Sequence, residues 1–209
     1  PKALVALGTV PMLVRALHRF EGTGITPPAV VTAPPGYLDE FRDVLNTFLP
    51  HWQAIVVSGG AERQESVVLG LEALDDETEI VAIHDAARPF VPREAVEASL
   101  AAASDIGAAT VAIPSIDTML IEDGKGELES TPDRSRLWAC QTPQTFRVEV
   151  IRAAHAAARE QGLAVTDDAT VVRETGGRVR LVMGSPMNFK ITTPADLALA
   201  RNVADQGLA

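Results

Sequence analysis

The chain has 209 residues, of which 46% are hydrophobic and 4% aromatic, and its formal net charge at pH 7 is −10. This length supports one domain with an aliphatic core, while the acidic balance argues against nucleic-acid binding, which needs a broad basic surface. No apolar run approaches the roughly 20 residues of a membrane-spanning helix, and the single cysteine, Cys140, allows no intrachain disulfide and favours a cytoplasmic location.

In the first half of the chain, short aliphatic runs alternate with segments of helical periodicity. The predicted strands are 3–6, 29–32, 54–58, 80–84 and 108–113, and the predicted helices are 11–20, 36–48, 66–74 and 93–103. Strands that alternate with helices of this length are typical of an α/β domain. We therefore predict a mostly parallel, twisted sheet that is covered by helices on both faces.

The second half begins with a hairpin signal. The segments 118–122 and 127–130 flank Asp123-Gly124-Lys125-Gly126, in which two glycines can adopt positive φ angles. The hairpin belongs to a stretch, residues 117–137, that is either an arm reaching a second subunit or an excursion into solvent. Further helices are predicted at 148–161, 167–175 and 194–205, and further strands at 179–183 and 188–191.

A pair of glycines follows the third predicted strand, in the sequence GGAERQESVVLGL at residues 59–71. Gly59 and Gly60 permit a sharp turn and a close approach of the backbone to a ligand, and Ser66 is expected to cap the following helix. Free N–H groups at a helix N-terminus can bind an anion or the polar edge of a base. The alternative is an ordinary connection between a strand and a helix, since neither a GxGxxG nor a Walker motif is present.

The sharpest motif is IVAIHDAARPFV, residues 80–91, in which an apolar strand ends at polar residues. Ligands of open α/β sheets bind beyond the carboxyl ends of the strands. There, Asp85 can hold Mg²⁺ together with substrate phosphates, Ala86 leaves room for a ribose or a base, and Arg88 can bind phosphate. A structural ion pair between Asp85 and Arg88 is the alternative. His84 stands without a partner and is interpreted as a core or capping residue.

Polar residues of the second half can complete a site, and each has a structural alternative. Thr118 can donate to a phosphate or simply begin the hairpin, and Arg134 at the other end of the hairpin is expected to be solvated. Thr142 lies among polar residues that can line a site or cap a helix. Thr166 precedes two acids at a predicted helix start, where capping is a sufficient explanation. Lys190, in a strand-like run, faces either solvent or the site.

Together, these segments resemble the 2-C-methyl-D-erythritol 4-phosphate cytidylyltransferase family. The family's motifs occur here in its order, as Pro1-Lys2, GGAERQESVVLGL, HDAARPFV, Asp117-Thr118, LWACQTPQTFR, TDDA and NFKITTPADL. The resemblance runs along essentially the whole chain. It implies one Rossmann-like nucleotidyltransferase domain, residues 1–209, with a protruding β-arm at 117–137. In this family a first strand and a glycine-rich loop with a catalytic arginine precede the Pro-Lys pair, so we expect both upstream of Pro1.

The resemblance also implies a role for each candidate residue. The catalytic residues would be Lys2, Arg134 and Lys190. CTP would contact Lys2, Gly59, Gly60, Ser66, Asp85, Ala86 and Arg88, and Asp85 would support Mg²⁺ or another divalent ion. The sugar phosphate would contact Thr118, Arg134, Thr142, Thr166 and Lys190. The protein would be a homodimer joined through the β-arm, with the sugar-phosphate site near the interface.

The reaction that the resemblance implies belongs to non-mevalonate isoprenoid synthesis. The phosphate of 2-C-methyl-D-erythritol 4-phosphate attacks the α-phosphorus of CTP, which yields 4-diphosphocytidyl-2-C-methyl-D-erythritol and pyrophosphate. Because a phosphate nucleophile is already ionised at neutral pH, the reaction needs cations more than a strong base. Two alternatives stay open: a cytidylyltransferase for another alditol phosphate, such as ribitol 5-phosphate, and a nucleotide-binding protein without turnover.

Overall fold

The computed structural model describes residues 1–163 and 165–207, and within these ranges the chain forms ten strands and seven α-helices. The strands are β1 (Ala6–Leu7), β2 (Val10–Pro11), β3 (Val30–Ala33), β4 (Ile55–Ser58), β5 (Ile80–Ile83), β6 (Ala108–Pro114), β7 (Ile121–Glu122), β8 (Leu128–Ser130), β9 (Trp138–Arg147) and β10 (Arg180–Met183). The helices are α1 (Met12–His18), α2 (Leu38–Phe48), α3 (Arg63–Glu72), α4 (Arg93–Ile106), α5 (Val148–Glu160), α6 (Asp168–Glu174) and α7 (Pro194–Asp205).

The central sheet has the strand order β10-β6-β9-β5, and β3 and β4 form a separate parallel pair. The chain leaves β6 at Pro114, passes through β7 and β8, and re-enters the sheet at Trp138, which lies opposite Pro114. A strand that returns at this point must run back along its neighbour, so β9 is antiparallel to both β6 and β5. The α/β class is confirmed, but the sheet is mixed: β10, β6 and β5 share one direction and β9 opposes them.

Among the described residues, two of the three clusters of buried apolar side chains hold helices against the β3–β4 pair and the central sheet. One cluster joins α1, α2 and α4 to the β3–β4 pair and includes Leu45, Trp52 and Val96. The other packs α5 and α6 on the central sheet around Phe146 and Ile151, both of which are fully buried. Each such side chain stabilises the fold by about 1.5–3 kcal/mol through burial, so the helix positions are firmly set by packing.

An open slot separates the central sheet from the β3–β4 pair. Among the described strands, β3 pairs only with β4 and β5 pairs only with β9, so each presents one unpaired edge. Both edges line a cavity of about 800 Å³, together with Ala16 and Leu17 of α1 and Val67 and Gly70 of α3. The slot therefore combines backbone hydrogen-bonding groups of two strands with apolar helix residues on its walls.

Most predicted elements are confirmed, with ends that differ by a few residues, but the predicted strand at 3–6 is wrong. Lys2–Leu4 is a single turn of 3-10 helix, closed by the N–H of Leu4, which donates to the carbonyl oxygen of Pro1 (3.1 Å). Ala3 and Leu4 still pack against the first cluster. Their aliphatic character thus reflects burial in a turn, which a short apolar run cannot distinguish from a strand.

The predicted strand at 188–191 is also wrong. It falls in the segment 184–193 between β10 and α7, here called the strap, which contains no residue in a strand ladder. The side-chain amide of Asn188 is fully buried and donates to the carbonyl oxygen of Thr142 (2.8 Å), so the strap bends inward toward β9. The N–H of Ile191 then donates to the carbonyl oxygen of Ala87 (2.9 Å), which holds the strap beside the residues that follow β5.

The predicted hairpin is present between β6 and β9. Strands β7 and β8 pair in antiparallel fashion, and Gly124 and Gly126 have φ angles of 82° and 90°, as their place in the turn predicts. The role of this hairpin as an arm that reaches another subunit stays a prediction. Across the described residues, no helix combines the length and the apolar character needed to cross a bilayer.

Candidate active site

The candidate residues gather beyond the carboxyl ends of β4 and β5. Gly59 follows β4 directly, and its N–H donates to the carbonyl oxygen of Ala33 at the end of β3 (2.8 Å). Asp85 lies two residues beyond β5. Arg63 reaches Asp85 from the first turn of α3, with Nε 3.5 Å from Oδ1. Two strand ends thus meet at one edge, where ligands of α/β sheets bind.

Asp85 is surrounded by cations. Lys190 Nζ lies 2.9 Å and Arg88 Nε 3.8 Å from Asp85 Oδ2, and the carboxylate is 17% exposed. Burial raises the pKa of Asp85, but the hydrogen bond and the charge of Lys190, together with the charge of Arg63, bring the pKa below its ordinary value. Asp85 is therefore an anion at neutral pH.

Thr142 and His84 fix the backbone beside Asp85. His84 Nε2 lies 2.9 Å from the carbonyl oxygen of Arg88 and must donate to it, so Nδ1 accepts from the hydroxyl of Thr142 (2.9 Å). The Thr142 oxygen in turn accepts the N–H of Asp85 (3.1 Å). Burial lowers the pKa of His84 to about 4, so the ring is neutral at pH 7. The interpretation of His84 as a structural residue fits these contacts, and Thr142 directs its hydroxyl hydrogen at His84.

Arg88 ties β9 to the strap. Its Nη1 donates to the carbonyl oxygen of Asn188 (2.7 Å) and its Nη2 to that of Cys140 (3.2 Å). Arg88 Nε is buried and lacks a hydrogen-bond partner among the described residues, and it is the atom that lies 3.8 Å from Asp85. Arg88 therefore has a structural role through two carbonyl groups and places its charge beside the Asp85 carboxylate.

The glycine turn is held by Ser66. The N–H of Gly60 donates to Ser66 Oγ (3.0 Å), which donates to the carbonyl oxygen of Glu62 (3.1 Å). Helix α3 begins at Arg63 with Glu62 as its N-cap residue, so Ser66 lies one turn inside the helix and the prediction that it caps the helix is wrong. A Cβ on Gly59 would lie 3.1 Å from Ser66 Oγ, so a larger residue there would require Ser66 to shift.

Two of the three lysines in the chain meet at the strap. Lys2 Nζ donates to the carbonyl oxygen of Ile191 (2.8 Å), one residue beyond Lys190. The ammonium group of Lys2, from the start of the sequence, thus contacts the backbone of the residue that follows Lys190, whose own ammonium group pairs with Asp85. In a chain with a net charge of −10, this cluster is a local concentration of positive charge.

A polar network behind Asp85 contains residues that lie inside the sequence motifs but are not among the predicted site residues. Arg63 Nη1 donates to Asp168 Oδ2 (2.7 Å), and the Asp168 side chain is 1% exposed. Gln144, fully buried in β9, accepts the backbone N–H of Asp168 (2.9 Å) and donates to Asp167 Oδ1 (3.0 Å). The sequence signal that could have indicated this network is the pair of acids in TDDA. One carboxylate is enough to cap a helix, so the second acid is available for another contact.

Comparison with known proteins identifies the family. Residues 1–206 match the model of IspD, described as 2-C-methyl-D-erythritol 4-phosphate cytidylyltransferase. The chain belongs to the IspD family. Curated relatives with the same description include a Bacillus licheniformis protein that is 38% identical over 205 residues (98% of this chain, 87% of the relative) and a Frankia casuarinae protein that is 42% identical over 201 residues (96% and 73%).

A solved IspD-family structure supports the fold. The crystal structure of 2-C-methyl-D-erythritol 4-phosphate cytidylyltransferase from Thermus thermophilus matches with a TM-score of 0.83 and 36% sequence identity. The match covers 98% of this chain and 94% of that chain. The mixed sheet and its helices are therefore those of an IspD nucleotidyltransferase domain.

The remaining candidate residues of this IspD domain lie apart from the Asp85 cluster. Thr118 and Arg134 are exposed in the hairpin region, where Arg134 Nη1 donates to the carbonyl oxygen of Ile116 (3.1 Å). Thr166 is exposed beside Asp167, which accepts the N–H of Thr170 and caps α6. No hydrogen bond or ion pair between described residues joins Thr118, Arg134 or Thr166 to Asp85, so a substrate or a second subunit would have to bring them together.

A metal ion in this IspD domain would depend on Asp85. The described part of the chain contains no group of three or more His, Cys, Asp or Glu side chains that could hold a metal ion by itself. Mg²⁺ is commonly held by one or two carboxylates together with substrate phosphates. The ionised carboxylate of Asp85 fits that second arrangement, in which the nucleotide supplies most of the oxygen ligands.

Proposed function

We propose that the cluster around Asp85 and Lys190 transfers the cytidylyl group of CTP to 2-C-methyl-D-erythritol 4-phosphate and releases pyrophosphate. Membership of the IspD family supports the two substrates. The observation that carries the assignment of the site is the contact of Lys190 with Asp85 (2.9 Å), beside the contact of Lys2 with the strap (2.8 Å). The Lys190 ammonium group and the ionised Asp85 carboxylate would bind the nucleotide at this sheet edge, with Lys2 reaching its phosphates from the adjoining strap.

The nucleophile needs no protein base. The attacking phosphate oxygen is ionised at neutral pH, and the nearest histidine, His84, has both ring nitrogens engaged by Arg88 and Thr142. Its lowered pKa, about 4, keeps the ring neutral near pH 7. The principal barrier is the repulsion between two anionic reactants, which positive side chains reduce.

Lys2, Arg134 and Lys190 supply that charge. Lys2 would contact the CTP phosphates, while Arg134 and Lys190 would hold the sugar phosphate in line with the α-phosphorus. Lys190 is paired with Asp85, and its three ammonium hydrogens allow it to keep that contact or to exchange it for a phosphate of the second substrate. Each charge-assisted contact contributes about 1.5–3 kcal/mol, so the loss of one is measurable in the rate.

The CTP base would lie against the glycine turn. Gly59 and Gly60 present backbone groups at the start of α3, and Ser66 keeps the turn in place through its contact with Gly60. Backbone carbonyl groups can accept a hydrogen bond from the N4 amine of cytosine, which uracil lacks. Ala86 would leave room for the ribose, and Arg88 would add positive charge beside Asp85.

Mg²⁺ would be shared between Asp85 and the CTP phosphates. When bound, the ion neutralises phosphate charge and polarises the phosphoryl oxygens. Asp85 is held for this role by the Thr142 hydroxyl on its backbone N–H (3.1 Å) and by Arg63 on Oδ1 (3.5 Å). Thr142 would act on the sugar-phosphate side mainly by holding this backbone.

A homodimer joined through the arm would complete the second-substrate site. Ile116, Leu120 and Leu128 are 83%, 62% and 63% exposed, which is unusual for a group of apolar side chains in one excursion. Burial of these side chains against a second copy would remove them from water. The same contact would bring Thr118 and Arg134, which flank the hairpin, close to a partner's site.

Product analysis tests the proposed reaction. The protein is incubated with CTP, Mg²⁺ and 2-C-methyl-D-erythritol 4-phosphate, and the product is identified by mass while pyrophosphate release is followed. We expect 4-diphosphocytidyl-2-C-methyl-D-erythritol, and loss of turnover when EDTA removes the divalent ion. Ribitol 5-phosphate in the same assay is the control for the second substrate. Faster turnover of ribitol 5-phosphate, or CTP binding without any product, would refute the proposal.

A further inference from the structure

Arg63 connects the candidate active site to a buried carboxylate. It is the first residue of α3, directly after the glycine turn. Its Nη1 donates to Asp168 Oδ2 (2.7 Å), and its Nε lies 3.5 Å from Asp85 Oδ1. One guanidinium group therefore faces two carboxylates, one at the edge of the site and one in the interior.

Asp168 is a fixed anchor for this guanidinium. Its side chain is 1% exposed, and its other oxygen, Oδ1, lies 3.1 Å from His155 Nε2. Its backbone N–H donates to Gln144, which is itself fully buried in β9. Because these partners belong to α5 and the central sheet, Asp168 cannot move without disturbing the core, and the far side of Arg63 is held in place.

The two oxygens of Asp85 are held by different cations. Oδ2 faces Lys190 (2.9 Å) and Arg88 (3.8 Å), whereas Oδ1 faces Arg63. The terminal nitrogens of Arg88 are already engaged by the carbonyl oxygens of Asn188 and Cys140. When Lys190 turns to a phosphate of the second substrate, Arg63 is the anchored cation that still restrains the carboxylate.

From this geometry we infer that Arg63 is a positioning residue for the reaction, which holds the Asp85 carboxylate in its working orientation and itself contacts no reacting atom. The inference rests on the proposed role of Asp85. Side chains that orient a functional carboxylate affect turnover through that carboxylate, since they contact the carboxylate and neighbouring protein groups and do not contact the substrate. The effect of Arg63 on turnover must therefore depend on the presence of Asp85.

A double-mutant cycle tests this dependence. Removal of Arg63 alone would leave Asp168 as an unpaired buried charge and threaten folding, so both charges are removed in the variant Arg63→Gln/Asp168→Asn. Four proteins are compared by kcat/KM for CTP: the parent, this variant, Asp85→Asn, and the triple variant. We expect the Arg63→Gln/Asp168→Asn change to lower kcat/KM at least about tenfold in the parent and less than about twofold in the Asp85→Asn background. The control is Arg42→Gln/Asp39→Asn, which removes an exposed ion pair on α2 (2.7 Å) and should leave kcat/KM unchanged.

Either of two results would overturn the inference: no loss in the parent, or equal losses in both backgrounds. A parent chain without turnover would refute the proposed function, and the inference then depends on urea unfolding of the same four ligand-free proteins. Contact between Arg63 and Asp85 makes their effects on the unfolding constant non-additive, by at least about threefold. Additive effects would show that Arg63 does not hold Asp85.

Discussion

At the scale of the residue, Lys190 and Arg134 have different surroundings although both are assigned to the sugar phosphate. Lys190 contacts Asp85 directly, whereas the side chain of Arg134 donates to the carbonyl oxygen of Ile116. We propose that both contact the phosphate of the second substrate. Their replacement should therefore affect the second substrate while CTP binding is retained.

We expect Lys190→Ala and Arg134→Ala each to lower kcat/KM for 2-C-methyl-D-erythritol 4-phosphate by about 10- to 100-fold, the equivalent of one lost charge-assisted contact. The dissociation constant of CTP, measured by calorimetry, should change less than about threefold. Arg201→Ala, which removes an exposed cation on α7, is the matched control and should leave both values unchanged. An equal loss of CTP affinity in both site variants would contradict the assignment.

His84 gives a prediction for stability against pH. The folded-state pKa is about 4, below the value of about 6.5 in an unfolded chain. Between these values the unfolded state binds more protons, so stability is lost as the pH falls from about 6.5 toward 4. Between pH 7 and pH 5 the loss from this group should be about 2 kcal/mol. Urea unfolding of the parent and of His84→Gln at both pH values measures it; equal losses in the two proteins would exclude His84 as the cause.

Much of the site follows from the sequence at this scale because its residues directly follow strands. Asp85 and Arg88 belong to a motif at a strand end, and the sheet brings that end to the ligand-binding edge. Arg63, Gln144 and Asp168 lie inside motifs, but their roles cannot be predicted from them, since the contacts of Asp168 with Gln144 and Arg63 join residues 24 and 105 positions apart. The sequence predicts the correct turn for Ser66 but the wrong contact, because α3 begins three residues earlier than its apolar pattern indicates.

At the scale of the element, alternation of strands and helices predicts the α/β class but cannot predict the direction of β9. That direction follows from a pairing of Pro114 with Trp138 across an excursion, which local periodicity does not encode. Residues 188–191 show that a local pattern can also predict a strand that does not form. Their strand-like pattern is overridden by the buried amide of Asn188, which bends the strap and thereby places Lys190 against Asp85.

The slot between β3 and β5 gives a prediction at the same scale. Two unpaired strand edges that face one cavity can both bond to a single extended segment between them. We expect a form of the protein with an apolar extended segment before Pro1 to show slower amide exchange in β3 and β5. A proline-rich segment of equal length, which lacks N–H donors, should not have this effect. The outer strand β10 is the internal control; unchanged exchange in β3 and β5 would contradict the prediction.

At the scale of the whole molecule, the exposed apolar residues of the hairpin predict the oligomeric state. We expect the parent chain to be a dimer and Leu120→Asp/Leu128→Asp to be a monomer at micromolar concentration, because charges would replace apolar contacts at the interface. Light scattering coupled to size-exclusion chromatography measures both masses. Leu199→Asp, which changes a similarly exposed leucine on α7, should remain a dimer. A monomeric parent, or a dimeric arm variant, would contradict this role of the arm.

The central proposal is that Lys190, which pairs with Asp85, and Lys2, which contacts the adjoining strap, bind the substrates of an acidic chain. A crystal structure with CTP and Mg²⁺ tests it most directly. We expect the triphosphate to contact Lys2, the metal ion to be bound by Asp85, and the cytosine to lie against Gly59 and Gly60. A nucleotide bound away from Lys2, with no metal ion on Asp85, would contradict the claim.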